Sequence, residues 1–252
     1  MVQRQVSGAC RCINAVEPVV TAMQIPRFPE CYHALVEASL DDTDQSLLQQ
    51  LQQQPESGRP FVALFCRYSP LVYSLIHHAT PSSVQVDYLF AQVWQRIYQD
   101  LRHIDLEHFD QSEQAQALQA SQGEGNTAPR DVSSPLTLQN WIINAAAGCI
   151  RDQQIPEPDQ IRYSLTYAPP PLWCYLERSL DQLSPLHRLT MLLHKRFGWS
   201  IEEVAAHLRS EGTAADASAV ITLLEESYGQ IDESLPQDIR DIYLSALDPK
   251  QS

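Results

Sequence analysis

The sequence predicts an all-α protein. Strands need runs of β-branched and aromatic residues with a period of two, and such runs are almost absent from this chain. Proline outnumbers glycine by 17 to 8, which indicates breaks between helices rather than the tight glycine turns of hairpins. In several segments apolar residues recur every three or four positions instead, which is the spacing of one face of a helix.

Length and composition allow two modest domains. The chain has 252 residues and is 44% hydrophobic, so it can bury a real core. We expect a flexible lead over 1–29, a helical domain over 30–154, a proline-rich linker over 155–172 and a second helical domain over 173–252. Residues 105–135 are rich in Gln, Ser, Ala and Gly and lack apolar periodicity, which predicts a disordered insertion in the first domain.

Apolar periodicity places the helices of the first domain. The segment 84–104 is the longest, and its apolar positions define one buried face. Shorter faces precede and follow it, separated by proline-containing breaks. The predicted helical segments are 30–40, 44–54, 59–79, 84–104 and 137–154.

The second domain begins with two helices whose ends are marked by capping residues. Ser184 is a good N-cap with Pro185 after it, and Gly198 ends the helix in the usual left-handed position. Ser200 and Glu203 form a capping box that starts the next helix. This arrangement is typical of a helix-turn-helix, although an ordinary helical hairpin fits equally well. The apolar stripe of the first helix is Leu186, Leu189, Leu193 and Phe197.

Two further helices are predicted after the helical pair. The segment 213–231 has the apolar spacing of a helix and would be the third helix of a helix-turn-helix domain. The segment 234–247 is amphipathic and adds a terminal helix.

Motifs in this region resemble the C-terminal helix-turn-helix domain of bacterial sigma factors, most closely the small two-domain extracytoplasmic-function type. They read L-x-x-L-x-P-x-x-R from Leu180, G-x-S-x-x-E-V-A-x-x-L from Gly198 and S-E-G-T from Ser210. Upstream, the pattern F-x-x-L-F-x-R-Y-x-P-x-V-Y from Phe61 resembles the first conserved helix of the sigma N-terminal domain. The resemblance therefore implies a sigma-like N-terminal domain and a sigma-like C-terminal domain, both helical.

The resemblance assigns the helix 84–104 to binding RNA polymerase core, at the clamp coiled coil. Some scaffold positions match the family, but Tyr88 stands where the family has Asp, and Ala91 stands where it has Gln. The residues implied in polymerase binding are Asp87, Tyr88, Ala91, Gln92, Gln95 and Arg96.

The resemblance also implies contacts with promoter DNA. In 137–154, which resembles the helix that melts and reads the inner promoter element, Ala147 and Gly148 replace an Arg-Asn pair. The segment 213–231, where the family carries several bases, has no Lys or Arg and contains acidic residues instead. The residues implied in DNA binding are Arg102, Trp141, Arg151, Arg188, Arg196, Ser210 and Thr213.

A net charge of −14 bears on whether the chain binds DNA or only proteins. Affinity for DNA comes largely from cations that displace phosphate counterions, whereas an acidic surface suits basic grooves of a protein partner. One hypothesis is a sigma factor that directs polymerase to promoters. The other is a degenerate sigma-fold regulator that binds proteins, such as polymerase, a sigma factor or an anti-sigma protein, without reading DNA. An unrelated helical protein is the third alternative. A contiguous basic strip of Arg67, Arg96, Arg102 and Arg151 would favour DNA.

Other classes of function find little support. The chain has no P-loop, GxSxG, HExxH or glycine-rich nucleotide turn, so we expect no enzyme, no cofactor and no metal site. The spacing of Cys10 and Cys12 is too short for a zinc knuckle, and the six scattered cysteines favour reduced thiols in a cytoplasmic protein. We expect neither a signal peptide nor a membrane segment, because no apolar run is long enough.

Overall fold

The computed structural model describes residues 25–80, 82–105 and 137–245. All regular secondary structure in these ranges is helical, which confirms the predicted all-α class. A 3-10 helix, Pro29–Tyr32, comes first. The α-helices that follow are α1 (Ala34–Glu37), α2 (Asp44–Gln53), α3 (Arg59–His77), α4 (Ser83–Leu101), α5 (Leu138–Asp152), α6 (Pro170–Gln182), α7 (Pro185–Met191), α8 (Ile201–Ser210), α9 (Ala217–Ser234) and α10 (Gln237–Tyr243).

Parts of three predictions lie outside the described residues. These are the flexible lead up to residue 24, the insertion from residue 106 onward, and the end of the terminal helix beyond residue 245. The pair Cys10 and Cys12 also lies outside them.

Helix starts follow the capping residues in the sequence. The hydroxyl oxygen of Ser200 accepts from the backbone N–H of Glu203, and the Glu203 carboxylate accepts from the backbone N–H of Ser200, so the predicted capping box is confirmed. The Ser184 side chain likewise caps α7. Further side-chain caps are provided by Thr43, Ser82, Thr137 and Asp216.

The predicted apolar stripe of α7 is only partly buried. After α7 the chain makes a π turn over Leu192–Arg196, in which the N–H of Phe197 donates to the carbonyl of Leu192 at 3.0 Å. The extra residue in this turn shifts the helical phase. Leu193 is buried, but Leu189 is 36% and Phe197 is 66% exposed, so the predicted stripe does not form one buried face. Gly198 then takes the predicted left-handed conformation, with φ at 71°.

An aromatic core holds the first half together at the crossing of α3 and α4. The rings of Phe65 and Trp94 meet edge to face, with centroids 4.9 Å apart, and Phe61 and Phe90 pack around them. All four side chains have no exposed area. Helices α2 and α5 pack against α3 and complete this half.

The second half packs directly on the first through α6. Tyr175 of α6 is 1% exposed, and its ring centroid lies 5.1 Å from that of Tyr98 and 6.3 Å from that of Phe61. Buried side chains of both halves form one continuous apolar cluster. The two domains and linker of the sequence analysis stay a prediction, but within the described residues their cores are joined.

Helix α10 returns from the end of the described chain to the start of α3. The Asp238 carboxylate accepts from the Ser57 hydroxyl at 2.9 Å and from the backbone N–H groups of Gly58 and Arg59 at 2.9 and 2.8 Å. Gly58 is the N-cap of α3 and has no side chain to cap it, so Asp238 supplies the cap from a distant part of the sequence. Ile239 beside it is fully buried.

A disulfide joins the 3-10 helix to α3. Cys31 and Cys66 are bonded, with their Cα atoms 5.5 Å apart. The expectation of reduced thiols was therefore wrong for this pair, because the segment before α1 folds back onto α3 and brings together cysteines that are 35 residues apart. Cys149 and Cys174 are free. No helix within the described ranges is long and apolar enough to cross a membrane.

Candidate interaction surfaces

The residues predicted to bind polymerase divide into covered and accessible groups on α4. Ala91 has no exposed area, and the Gln95 side-chain amide donates to the Glu177 carboxylate of α6. Tyr88 and Gln92 are half-buried, and Arg96 is exposed. Part of the predicted docking face is thus already occupied by α6 in this conformation.

Asp87, another predicted polymerase contact, faces inward toward α3. Its carboxylate accepts from the Tyr73 hydroxyl at 3.3 Å. Partial burial raises the pKa of Asp87, although the hydrogen bond from Tyr73 opposes this. Burial and the nearby carboxylate raise the pKa of Tyr73 to about 12. The pair ties α3 to α4 and holds the Asp87 carboxylate against Tyr73.

Three of the four arginines in the predicted basic strip pair with carboxylates, whereas Arg102 contacts an aromatic ring and keeps its charge. Arg67 pairs with Asp44 and donates to the carbonyls of Leu40 and Asp42 at 2.8 and 2.6 Å, so it fixes the start of α2. The guanidinium of Arg102 lies 5.7 Å from the centroid of the Tyr98 ring.

The other two arginines of the strip pair with carboxylates on their own helices. Arg96 Nε lies 2.7 Å from an Asp100 oxygen, and Arg151 Nε lies 2.9 Å from an Asp152 oxygen. These hydrogen bonds raise the pKa of both guanidinium groups. Exposed pairs of this kind are weak and could open, but each carboxylate would remain beside its arginine and repel a phosphate.

A cleft of about 350 Å³ lies beside the contact between α4 and α5, and its lining mixes both charges with amide groups. The thiol of Cys149 lies in it, and burial raises the pKa of this thiol. The cleft does not present a uniform positive field for a nucleic acid. Its lining residues are Arg96, Asp100, Asn144, Ala145, Gly148, Cys149, Asp152 and Gln153.

The predicted DNA contacts on α5 and α7 are dispersed. Trp141 of α5 is half-buried and packs against the core rather than standing free as a stacking platform. Arg188 of α7 pairs with Asp181 of α6 at 2.5 Å. Arg196 of the π turn is exposed. Of the two arginines, Arg188 is therefore in an ion pair, whereas the structure shows no ion pair for Arg196.

The predicted contacts in the turn before α9 are engaged with the backbone. The Ser210 hydroxyl donates to the His207 carbonyl at 2.6 Å, and the Thr213 N–H donates to the Leu208 carbonyl at 2.9 Å. Ser210 is exposed, whereas Thr213 is partly covered. The turn is therefore organised by local hydrogen bonds.

Helix α9, which stands where a recognition helix would stand, has an acidic exposed surface. It contains no Lys or Arg. Glu226 lies 3.0 Å from His187 of α7, and the ammonium of Lys195 lies 5.5 Å from the centroid of the Tyr228 ring. The exposed carboxylates of α9 are Glu225, Glu226, Asp232 and Glu233.

A cavity that the sequence analysis missed lies where the first described residues, the segment 165–172 and α10 meet. Its volume is about 620 Å³, and its lining is mainly apolar and aromatic. Glu30 lines it although this side chain is only 4% exposed, and the Tyr243 hydroxyl donates to its carboxylate at 3.3 Å. The sequence predicts only that Glu30 lies at a helix start, since no local pattern indicates that segments over 200 positions apart meet around it.

Comparisons with other proteins leave the family open. No protein-family model, no curated protein and no solved structure matches the chain. Within the described residues, no three side chains of His, Cys, Asp or Glu are grouped so that they could hold a metal ion.

Proposed function

We propose that this chain is a regulator of transcription that acts by binding proteins and does not read promoter DNA. Its helices follow a sequence pattern that resembles sigma factors, and it would use this scaffold to bind RNA polymerase or a protein attached to it. The observation that carries the proposal is the pairing of Arg67, Arg96 and Arg151 with carboxylates, which leaves only Arg102 of the predicted basic strip without one within the described residues.

The acidic surface of α9 supports the same proposal. A helix that enters the major groove gains affinity from cations near phosphates and specificity from donors to base edges. Helix α9 has four exposed carboxylates and no Lys or Arg of its own. Arg240 pairs with Asp232, and Lys195 lies over the Tyr228 ring, but carboxylates still outnumber these cations, so phosphates would be repelled. Basic grooves of a protein partner would instead attract this helix.

Promoter recognition as a sigma factor is the second candidate function. It is favoured by the sequence motifs and by α8, which begins at a full capping box and is followed by a left-handed glycine turn and α9. In this case polymerase would supply most of the positive field around the DNA.

The deciding experiment mixes the purified chain with RNA polymerase core, measures co-elution by size-exclusion chromatography, and then measures promoter-dependent transcription. We expect co-elution without promoter-specific transcripts, and no salt-dependent binding of promoter DNA by the chain alone. Specific transcripts would establish the sigma factor instead. Failure to bind core, with or without a sigma factor attached, would overturn both candidates.

A charge variant locates the binding surface. We expect Glu225→Lys combined with Glu233→Lys to weaken the association with polymerase, because both carboxylates lie exposed on α9. The matched control is Glu157→Lys together with Asp159→Lys, an equal charge change at exposed positions of the segment 155–172. Equal weakening by both pairs would indicate a general charge effect and would exclude α9 as the docking face.

A further inference from the structure

The cavity around Glu30 combines a buried carboxyl group with exposed aromatic rings. Phe28, Leu172 and Ile242 contribute apolar walls. Tyr32 and Tyr167 also line it and are 70% and 88% exposed, so their rings stand at its mouth. Large exposed tyrosines beside an apolar cavity are characteristic of surfaces that bind a partner.

The buried carboxyl group of Glu30 has hydrogen-bond partners but no partner of opposite charge. Its carboxyl receives hydrogen bonds from its own backbone N–H and from the Tyr243 hydroxyl, and burial raises its pKa. None of the ion pairs within the described residues includes Glu30. A buried carboxylate with so few partners is costly, so a cation that entered the cavity would be stabilised there.

The mouth of the cavity favours arginine among possible cations. A guanidinium stacks on aromatic faces, binds a carboxylate with two parallel hydrogen bonds, and is less strongly hydrated than an ammonium group. Its three-carbon stem would lie along the apolar walls. Arg27 also lines the cavity but is exposed, so its charge is screened by water at the rim.

We propose that this cavity is the docking site for an arginine side chain of a partner protein, with Glu30 as its carboxylate acceptor and Tyr32 and Tyr167 as its aromatic walls. The proposal deepens the proposed function and rests on it, since it names the chemistry of the partner. The chain is strongly acidic overall, with a net charge of −14, which suits a basic partner.

The test titrates the full chain with N-acetyl-arginine-N-methylamide and follows backbone amide shifts by NMR. We expect saturable shifts centred on the residues that line the cavity, and none with the neutral citrulline analogue, which has nearly the same shape. Glu30→Gln keeps the shape of the side chain and should weaken binding about tenfold, the effect of losing one charge-assisted hydrogen bond. Glu37→Gln, an exposed position on α1, is the matched control and should leave binding unchanged.

A second variant tests the site without changing the buried residue Glu30. Tyr32→Ala combined with Tyr167→Ala alters two exposed side chains, so the fold should survive, and we expect a similar loss of binding. Equal binding of the citrulline analogue, or full binding by both variants, would overturn the proposal. Much tighter binding of free arginine than of the capped form would assign the cavity to a small molecule and exclude a partner side chain.

The outcome is separable from that of the polymerase experiment. If the capped arginine does not bind but the chain still co-elutes with polymerase, the docking site is wrong and the proposed function stands. If the capped arginine binds and no polymerase association is found, the cavity binds guanidinium groups but the proposed function is wrong.

Discussion

Gly58 lies where α10 crosses the start of α3, and the close approach of the two helices depends on its missing side chain. A Cβ atom at this position would lie 2.2 Å from Ile239 Cγ1 and 3.2 Å from Tyr175 Cε2. Since Ile239 is fully buried, it has little room to move away. The residue that forms the N-cap of α3 therefore also sets the distance at which α10 packs.

We expect Gly58→Ala to lower the free energy of unfolding by about 1–3 kcal/mol, the usual cost of overpacking a core. Urea denaturation measures this. Gly229→Ala is the control: it lies inside α9 with no heavy atom within 4 Å of its added Cβ, and it should stabilise the protein by about 0.5–1 kcal/mol. In an Ile239→Ala background the cost of Gly58→Ala should largely vanish, and strictly additive effects would contradict the steric explanation.

Because Glu30 is buried, it should make the folded protein less stable as the pH rises. Its pKa in the folded protein is raised above the ordinary value of 4.5, mainly by desolvation. Below that ordinary value the carboxyl is protonated in both states and folding carries no charge penalty. As the pH rises through the folded pKa, the unfolded chain releases its proton first, so the folded state loses stability.

Glu30→Gln should remove this loss. Urea denaturation in steps from below pH 4.5 to neutral pH should show that the wild-type protein loses more stability than the variant. Asp87 and Glu177 also have raised pKa values, but they are present in both proteins and cancel in the difference. Parallel curves for the two proteins would mean that Glu30 titrates as an ordinary exposed carboxyl.

At the scale of elements, the Cys31–Cys66 disulfide fixes the 3-10 helix against α3. The bond closes a loop of 35 residues that contains α1 and α2. It also holds one wall of the cavity, because Glu30 and Tyr32 flank Cys31 in the sequence and line the cavity. Restricting the unfolded chain in this way stabilises the fold, more so for longer loops.

Replacing both cysteines with alanine should lower the free energy of unfolding by about 3 kcal/mol. A reductant should lower the urea midpoint of the wild-type protein and leave that of the double variant unchanged. Cys149→Ala, which removes a half-buried free thiol, is the control and should cost much less. If the reductant has no effect on the wild type, the disulfide does not contribute to stability.

Elements could be predicted from the sequence largely because their signals are local. Ser184, Ser200 and Gly198 act within a few residues of themselves, and each holds the predicted position at a helix end. The π turn after α7 has no such local signal, and its extra residue shifts the helical phase. A regular helical period therefore did not predict that Phe197, the residue after this turn, is exposed.

At the scale of the whole molecule, the sequence could not indicate which groups would meet. The partners of Arg67 come from α2 and the loop before it, and Gln95 of α4 meets Glu177 of α6. These contacts decide whether a charge or a helix face is free to bind a partner. The candidate residues could thus be named from the resemblance to a family. Whether they are accessible to a partner could be seen only in the folded structure.

Because the cores of the two halves are joined, we expect the described chain to unfold as one cooperative unit. Aromatic contacts of Tyr175 and the Asp238 cap both cross the boundary between the predicted domains. A urea transition followed by tryptophan fluorescence reports on Trp94 and Trp141 in the first half and on Trp173 and Trp199 in the second. Circular dichroism follows all the helices, and the two transitions should coincide.

Asp238→Ala should expose the coupling between the halves, because it removes the cap of α3 while changing a residue of α10. We expect a loss of about 1–2 kcal/mol, with faster hydrogen exchange in α3 as well as in α10. The control is Asp241→Ala, which removes only a hydrogen bond from Gln237 within α10 and should leave exchange in α3 unchanged. Separate transitions for the two halves, or an effect of Asp238→Ala confined to α10, would show that the halves fold independently and that α4 can be uncovered at little cost.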